Sequence, residues 1–381
     1  MRARARLTLA APPPDPFGEH RRARFHARLQ LLGGRFDFET DSARLLRIVR
    51  LAYAALPPHK LGMPVPRFRV KLVLTPGKRA ARRPRDEPPP VRPLAGAGML
   101  CGALGGASFV SLSAPQRAAL IVVSQDLLRY AYHVRYELLE FAVYVLAARV
   151  QGLVPLHGAC LGHAGHGILL VGPSGAGKST LVLQCLLEGL EFLAEDSVLV
   201  KPQGLLATGV ANFVHLRPDA LRFIDRGSRA ALLRRTTMIH RRSGVAKLEI
   251  DLRREPYRLA AAPLRISAVV FLSSRPASPG ALLTPLRRST ALRRLAAQQR
   301  YASQQPGWSV FRRELARLPA YELQRAGHPR EAVQALRGLL SASSSRSGND
   351  HRSHAAMASR RRAGPGATSA GTRVHVRHAP R

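Results

Sequence analysis

The chain has 381 residues, 46% of them hydrophobic, and its 60 Lys and Arg against 23 Asp and Glu give a formal net charge of +37. That length and apolar content allow two domains with real cores plus a tail. The charge is mostly arginine, spread along the chain without a helix-turn-helix, paired zinc ligands or an aromatic-basic RNA motif. This excludes a specific nucleic-acid reader and leaves salt-dependent nonspecific binding and attraction of acidic peptides. Cys101, Cys160 and Cys185 are too few and too scattered for a zinc site or a disulfide framework, which suits a reducing, cytoplasmic setting.

In chain order, the basic N-terminus has an apolar run, Leu7 to Ala11, too short for a signal core and closed by Pro12-Pro13-Pro14. Arg35 to Glu39 reads as a strand, Asp41 to Leu56 as a helix begun by an Asp-Ser cap, and Pro66 to Leu74 as a strand. Gly77 to Pro93, rich in Arg and Pro, reads as a mobile excursion. The uncharged stretch Pro93 to Gln116 is broken by glycines and serines and predicts strands and turns rather than a membrane span, with Met99 to Ser113 and Ala118 to Val123 as strands. Leu127 to Val150 predicts one long helix, apolar on most faces and therefore buried. Residues 1–150 are thus expected to form an α/β accessory domain, and 151–340 the domain that carries chemistry.

That second domain opens with Leu156 to Leu161, read as one strand paired with Gly167 to Val171 through the turn Gly162 to His166. His157 on it is a candidate to reach a site. The segment Gly172-Pro173-Ser174-Gly175-Ala176-Gly177-Lys178-Ser179-Thr180 fits the G-x-x-x-x-G-K-[ST] phosphate loop. It follows an apolar strand and precedes a helix, Ser179 to Leu187, as that motif requires. Its glycines let backbone N–H groups turn toward one phosphate, the helix N-terminus adds partial positive charge, and Lys178 reaches the outer phosphates. These features predict a nucleoside triphosphate as ligand, with the Ser179 hydroxyl on a magnesium ion.

After Gly189, Leu190 to Ala194 reads as a strand, Glu195-Asp196 follow at its end, and Ser197 to Val200 reads as another strand. A metal-bound triphosphate needs a carboxylate for magnesium, and a transferase needs one for the acceptor hydroxyl. Glu195 and Asp196 divide those jobs in an order the sequence leaves open, since neighbouring residues on a strand point oppositely.

Together, Leu156-His157-Gly158, the run from Gly167 through Ser179, and Gly189 through Val198 resemble the catalytic domain of HPr kinase/phosphorylase. They resemble more closely the HPr-kinase-like proteins of bacteria, some of which accompany peptide-modifying enzymes. The resemblance covers about 45 residues, Leu156 to Val200. It implies an α/β fold with a P-loop kinase core and mixed sheet, and magnesium-dependent transfer of phosphoryl from ATP to a serine hydroxyl of a peptide or small protein, a ribosomally made precursor peptide among them. It also implies Lys178 and Ser179 as phosphate and magnesium contacts, Glu195 and Asp196 as base and metal partner, and His157 as a helper. The chain departs from the family in having Glu195 where an aspartate is usual and Thr180 where a glutamate is usual. Lys247-Leu248-Glu249-Ile250-Asp251 only echoes the family's later signature, so recognition of the HPr protein and the reverse reaction do not carry over. A P-loop ATPase, or a nucleotide-regulated peptide-binding module, is the alternative reading. Oligomeric state stays open, a homo-oligomer included.

Downstream, Arg234-Arg235 and His240 to Lys247 form a basic loop before a strand, Leu248 to Leu252. Arg241, Arg242 and Lys247 are its candidates for a clamp on phosphates or on an acidic acceptor. Ile266 to Ser273 reads as a core strand, Arg287 to Arg300 and Ala332 to Leu340 as helices, and Gln305 to Trp308 and Leu318 to Tyr321 as turns, with Trp308 a packing anchor. From Ser341 to Arg381 the apolar pattern stops and a disordered basic tail is expected.

Overall fold

Alternation of polar and apolar residues lets Phe25–Leu31 and Gly34–Thr40 pair as a hairpin with one dry face. They begin a seven-stranded mixed sheet whose order continues through Arg67–Thr75, Ala118–Ser124, Ser108–Ser113, Met99–Leu104 and Val91–Gly96. Its inner face sets Phe36, Phe38, Phe68, Val70, Val110 and Ile121 against the helices Ala43–Tyr53 and Phe141–Gln151. Each such buried side chain contributes about 1.5–3 kcal/mol. Ser42 caps the first helix by accepting from the Leu45 N–H, as the Asp-Ser pair predicted.

The computed structural model describes residues 23–76, 88–254, 256–278 and 280–343. The N-terminal apolar run, most of the Arg/Pro excursion and nearly all of the expected tail lie outside them. The chain divides into two compact units, 1–340 and 341–381, and all the sheets belong to the first. Both parts of that unit mix helices with sheets, so the fold is α/β. Among the described residues, no helix is long and apolar enough to cross a membrane.

The stretch expected as one helix from Leu127 to Val150 is helical throughout but not uniform: a 3-10 turn at Gln125–Tyr130 leads into Ala131–His133, a π-helical run at Val134–Glu140 and then Phe141–Gln151. Its apolar pattern hides Arg135, Glu137 and Glu140: Arg135 faces Glu140 within the π run and pairs with Glu249 on a distant strand, and Glu137 pairs with Arg242. Likewise, Met99 to Ser113 is two strands joined at Gly105, whose φ of 63° suits the turn. Val91–Gly96 is a strand where a loop was expected to run to Pro93.

The second half is built on a ten-stranded mixed sheet. His166–Val171 is central, parallel to Leu264–Pro276 and antiparallel to Ala159–His163. The single strand expected from Leu156 to Leu161 is therefore broken. Val154–His157 pairs with Ser197–Lys201, and only the part after Gly158 pairs with the central strand. Gly158 sits at this corner because a Cβ there would lie 2.7 Å from the Leu170 carbonyl oxygen. Glu191–Ala194 pairs with Ala159–His163, so the chain turns a second corner at Glu195-Asp196 beside the first.

The basic loop from His240 to Lys247 is the turn of a β-hairpin, with the expected strand after it and an unexpected one before it. Thr236–His240 and Ala246–Asp251 pair, and with Phe213–Leu216 they form a three-stranded sheet. The expected turn from Gln305 to Trp308 is closed by the Trp308 N–H on the Gln305 carbonyl at 3.0 Å, and Trp308 then opens the helix Trp308–Leu315 and packs on Phe311 with ring centroids 5.3 Å apart. The second expected turn leads into Ala320–Arg325, a strand beside Leu264–Pro276. A helix beginning at residue 329 places Ala332, Val333, Leu336 and Leu340 in the core.

Gly158→Ala is expected to destabilise the protein by about 1–3 kcal/mol, the usual cost of overpacking against an unyielding atom. Urea denaturation checks this, and an unchanged midpoint would mean the corner opens freely.

Candidate functional site

The segment Gly172–Thr180 leaves the central strand and enters the helix Lys178–Leu187. Gly175 and Gly177 have φ of 84° and 88°, and a Cβ on either would meet nothing within 4 Å. The need for glycine there is conformational rather than steric. Pro173, Ser174 and Gly175 are exposed, whereas Lys178 is buried. The Lys178 ammonium donates to the carbonyls of Gly172 at 2.7 Å and Pro173 at 3.1 Å, which holds it within the turn. Burial lowers its pKa, Lys247 adds to that, and Asp196 and Glu195 oppose it.

The two corners bring the acids to this turn. Glu195 is 5% exposed, and one of its oxygens accepts from the Ser179 hydroxyl. The other accepts from the His215 backbone N–H at 2.8 Å. Asp196 points to the more open side, where its carboxylate pairs with Arg241 at 2.9 Å. Arg241 stands at the hairpin turn with its guanidinium 5.3 Å from the centre of the Tyr136 ring. Burial raises the Asp196 carboxyl, but the charge and hydrogen bond of Arg241, with His215 and His157, outweigh it and hold it below the usual aspartate range.

The other predicted residues sit unequally close. His157 lies beside the acids, but its ring Nδ1 is 3.1 Å from the Asp196 backbone oxygen rather than on a carboxylate. Its own backbone is held on both sides by the Gln299 amide, at 2.8 and 2.7 Å. Lys247 is in the same field: burial lowers its pKa, Arg241 adds to that, and Glu195 and Asp196 oppose it. Arg242 faces elsewhere, forming a two-pronged ion pair with Glu137 and a bond to the Pro88 carbonyl at 3.3 Å.

Sequence reasoning missed His215, Glu249, Arg135, Tyr136 and Gln299. His215 and Glu249 stand opposite each other on paired strands, and the His215 Nε2 donates to Glu249 at 3.0 Å. Burial lowers the His215 pKa, but attraction to Glu195 and Glu249 outweighs it and raises it. Burial alone would raise Glu249, which His215 and Arg135 instead hold below the usual glutamate range. Only the Glu-Ile echo at 249–250 offered a sequence signal. The rest depends on pairing between distant segments.

Glu195, Asp196 and His215 each offer one ligand atom, and those atoms lie within 4.8 Å of one another. Two carboxylates and a serine hydroxyl are hard oxygen donors of the kind magnesium takes, so the residues fit that ion. A cavity of about 580 Å³ on the seven-stranded sheet, lined by Arg69, Val73, Met99, Leu120 and Val122 among others, includes none of them.

Arg242→Ala gives a test of the hairpin's anchorage. Burial raises Glu137, but His133 and Arg242 outweigh it and lower its pKa. A carboxylate depressed in the folded state adds stability above its unfolded pKa of about 4.5 and loses it as pH falls through the depressed value. Removing Arg242 is therefore expected to lower Tm at pH 6 to 7 and to flatten its fall between about pH 5 and 3, as thermal melts across that range would record.

No protein-family model matches the chain, and none of the curated proteins does. Among solved structures, the chain is similar to the HPr(Ser) kinase/phosphatase from Coxiella burnetii, at 14% identity over 52% of this chain and 96% of that one, with a TM-score of 0.28. A likeness this slight leaves the reading of the site to its own geometry.

Proposed function

We propose that the chain transfers the γ-phosphoryl group of ATP, with magnesium, to a serine-type hydroxyl of a peptide or small protein. The observation that supports this most is the meeting of Ser179, Glu195 and Asp196 beside the Gly172–Thr180 turn. Magnesium, when bound, would supply positive charge that offsets the charge of the phosphates. The turn's backbone N–H groups and Lys178 hold the phosphates in this reading, and Ser179 and Glu195 face the metal. Glu195 takes that role because it is the buried acid and already engages the hydroxyl.

Asp196, on the open side, orients the acceptor hydroxyl and takes its proton. The new oxygen–phosphorus bond forms as the bond to the leaving ADP oxygen breaks. A carboxylate held at low pKa is a weak base, which suits a transition state that needs orientation more than early deprotonation. Arg241 and Lys247 share the field of the acids and are positioned to meet charge on the transferring group, with His157 beside them. Arg242 contributes only through the hairpin it ties to Glu137. The basic surplus of the chain favours an acidic acceptor segment.

Mass spectrometry of candidate peptides incubated with ATP and magnesium tests the reaction. Phosphate release with no phosphopeptide from any of them would favour an ATPase instead. Lys178→Ala is expected to weaken ATP binding about tenfold or more, since it removes charge-assisted bonds worth about 1.5–3 kcal/mol. Asp196→Asn is expected to lower transfer by about 10²–10⁴-fold while sparing ATP binding. Equal loss of both would remove Asp196 from the chemical role.

A further inference from the structure

Arg135 heads the largest fully buried side chains at 2% exposure, an unusual place for a guanidinium. Its terminal nitrogens donate to both oxygens of Glu249, and its Cζ lies 4.2 Å from the centre of the Phe213 ring. Its Nε is 3.4 Å from Glu140 and makes no hydrogen bond. Glu249 in turn accepts from the His215 ring, the His215 backbone N–H donates to Glu195, and Glu195 accepts from Ser179. A continuous series of polar contacts therefore runs from the Val134–Glu140 segment to the phosphate-loop helix.

Stability does not account for this series. A buried ion pair is often replaced by apolar residues of similar volume at no cost, so a core that needed only packing would hold a Leu or Met here. The pair also hangs on a π-helical turn, a local distortion that recurs at functional sites. Its far end is the one carboxylate bonded to the Ser179 hydroxyl.

We infer that Arg135 is a positioning residue for Glu195: acting through Glu249 and His215, it fixes the carboxylate against Ser179 in the orientation that meets metal-bound nucleotide. This rests on the reading of Ser179 and Glu195 as the metal-facing pair. It also means that the first half of the chain is part of the nucleotide site, although none of its residues touches the turn directly in this series.

The full-length double variant Arg135→Met/Glu249→Leu removes both charges of the pair, and the buried Glu140 that faces Arg135 can take up a proton, as its burial already favours. Binding of a fluorescent ATP analogue is measured with magnesium and with EDTA, alongside Tm. The expected result is a Tm near that of the wild type, unchanged affinity in EDTA, and affinity in magnesium reduced about tenfold or more, the range seen when residues that orient metal ligands are lost. Unchanged affinity in magnesium, or equal loss in both conditions, would overturn the inference, because a purely structural role does not single out the metal-dependent part. If the double variant does not fold, Glu249→Gln and Arg135→Lys carry the same comparison with smaller expected losses. Ser179→Ala is the control: if it removes the magnesium effect while the Arg135 variants keep it, the metal-site reading stands and the positioning role falls. A wild type with no magnesium effect overturns both.

Discussion

A carboxylate taken out of water must find donors for its oxygens or give up its charge, and Glu195 finds one for each: the Ser179 hydroxyl and the His215 N–H. Those donors belong to different pieces of the fold. Ser179 stands on the helix after the glycine turn, Glu195 at a corner of the ten-stranded sheet, and His215 on the three-stranded sheet. One buried side chain thus sets how three elements approach each other, and the helix Lys178–Leu187 cannot shift along its axis without breaking a charge-assisted bond in the interior. The corners at Gly158 and Glu195 follow from the same demand, since a strand continuing straight would carry the acid past the helix.

The distribution of charge reinforces this. Acidic residues are scarce in a chain with 23 of them against 60 Lys and Arg, yet Glu137, Glu140, Glu195, Asp196 and Glu249 gather around one region. Three of the cations that enter are held by something besides an acid. Arg135 rests on Phe213, Arg241 on Tyr136, and Lys178 on loop carbonyls. In a low-dielectric setting, such multiple contacts limit how far a charge can move. Arg241 has more freedom than Arg135, at 22% side-chain exposure against 2%, which suits a side chain that changes partners.

How far the fold was legible depended on the range of the interactions that decide it. The Ser42 cap, the strand before the glycine turn and the helix after it are local patterns, and the structure carries them within a residue or two. The run from Leu127 to Val150 deceived because hydrophobicity reports burial but not backbone pitch; the π turn answers to Glu249 and Arg242, more than a hundred residues away in each case. Of the hairpin, the turn around Gly244, whose φ is 75°, and the strand after it were legible, whereas Thr236–His240 was missed because it is short and lacks a clear alternation. For the site, Lys178, Ser179, Glu195 and Asp196 were visible through their spacing from one motif. His215, Glu249 and Arg135 were not, because cross-strand register and a helix from the other half of the chain bring them in.

The pair of acids shows where local reading ends and geometry takes over. Sequence places Glu195 and Asp196 side by side and says only that they diverge. The corner resolves the divergence by sending one side chain inward to Ser179 and the other outward to Arg241. A longer side chain at the inward position is what the structure needs, since the hydroxyl sits on a separate helix and has to be reached across the gap between that helix and the sheet edge. Glu195 in place of a shorter acid is then a matter of reach, and Asp196 beside it is held twice, its carboxylate by Arg241 and its backbone oxygen by the His157 ring.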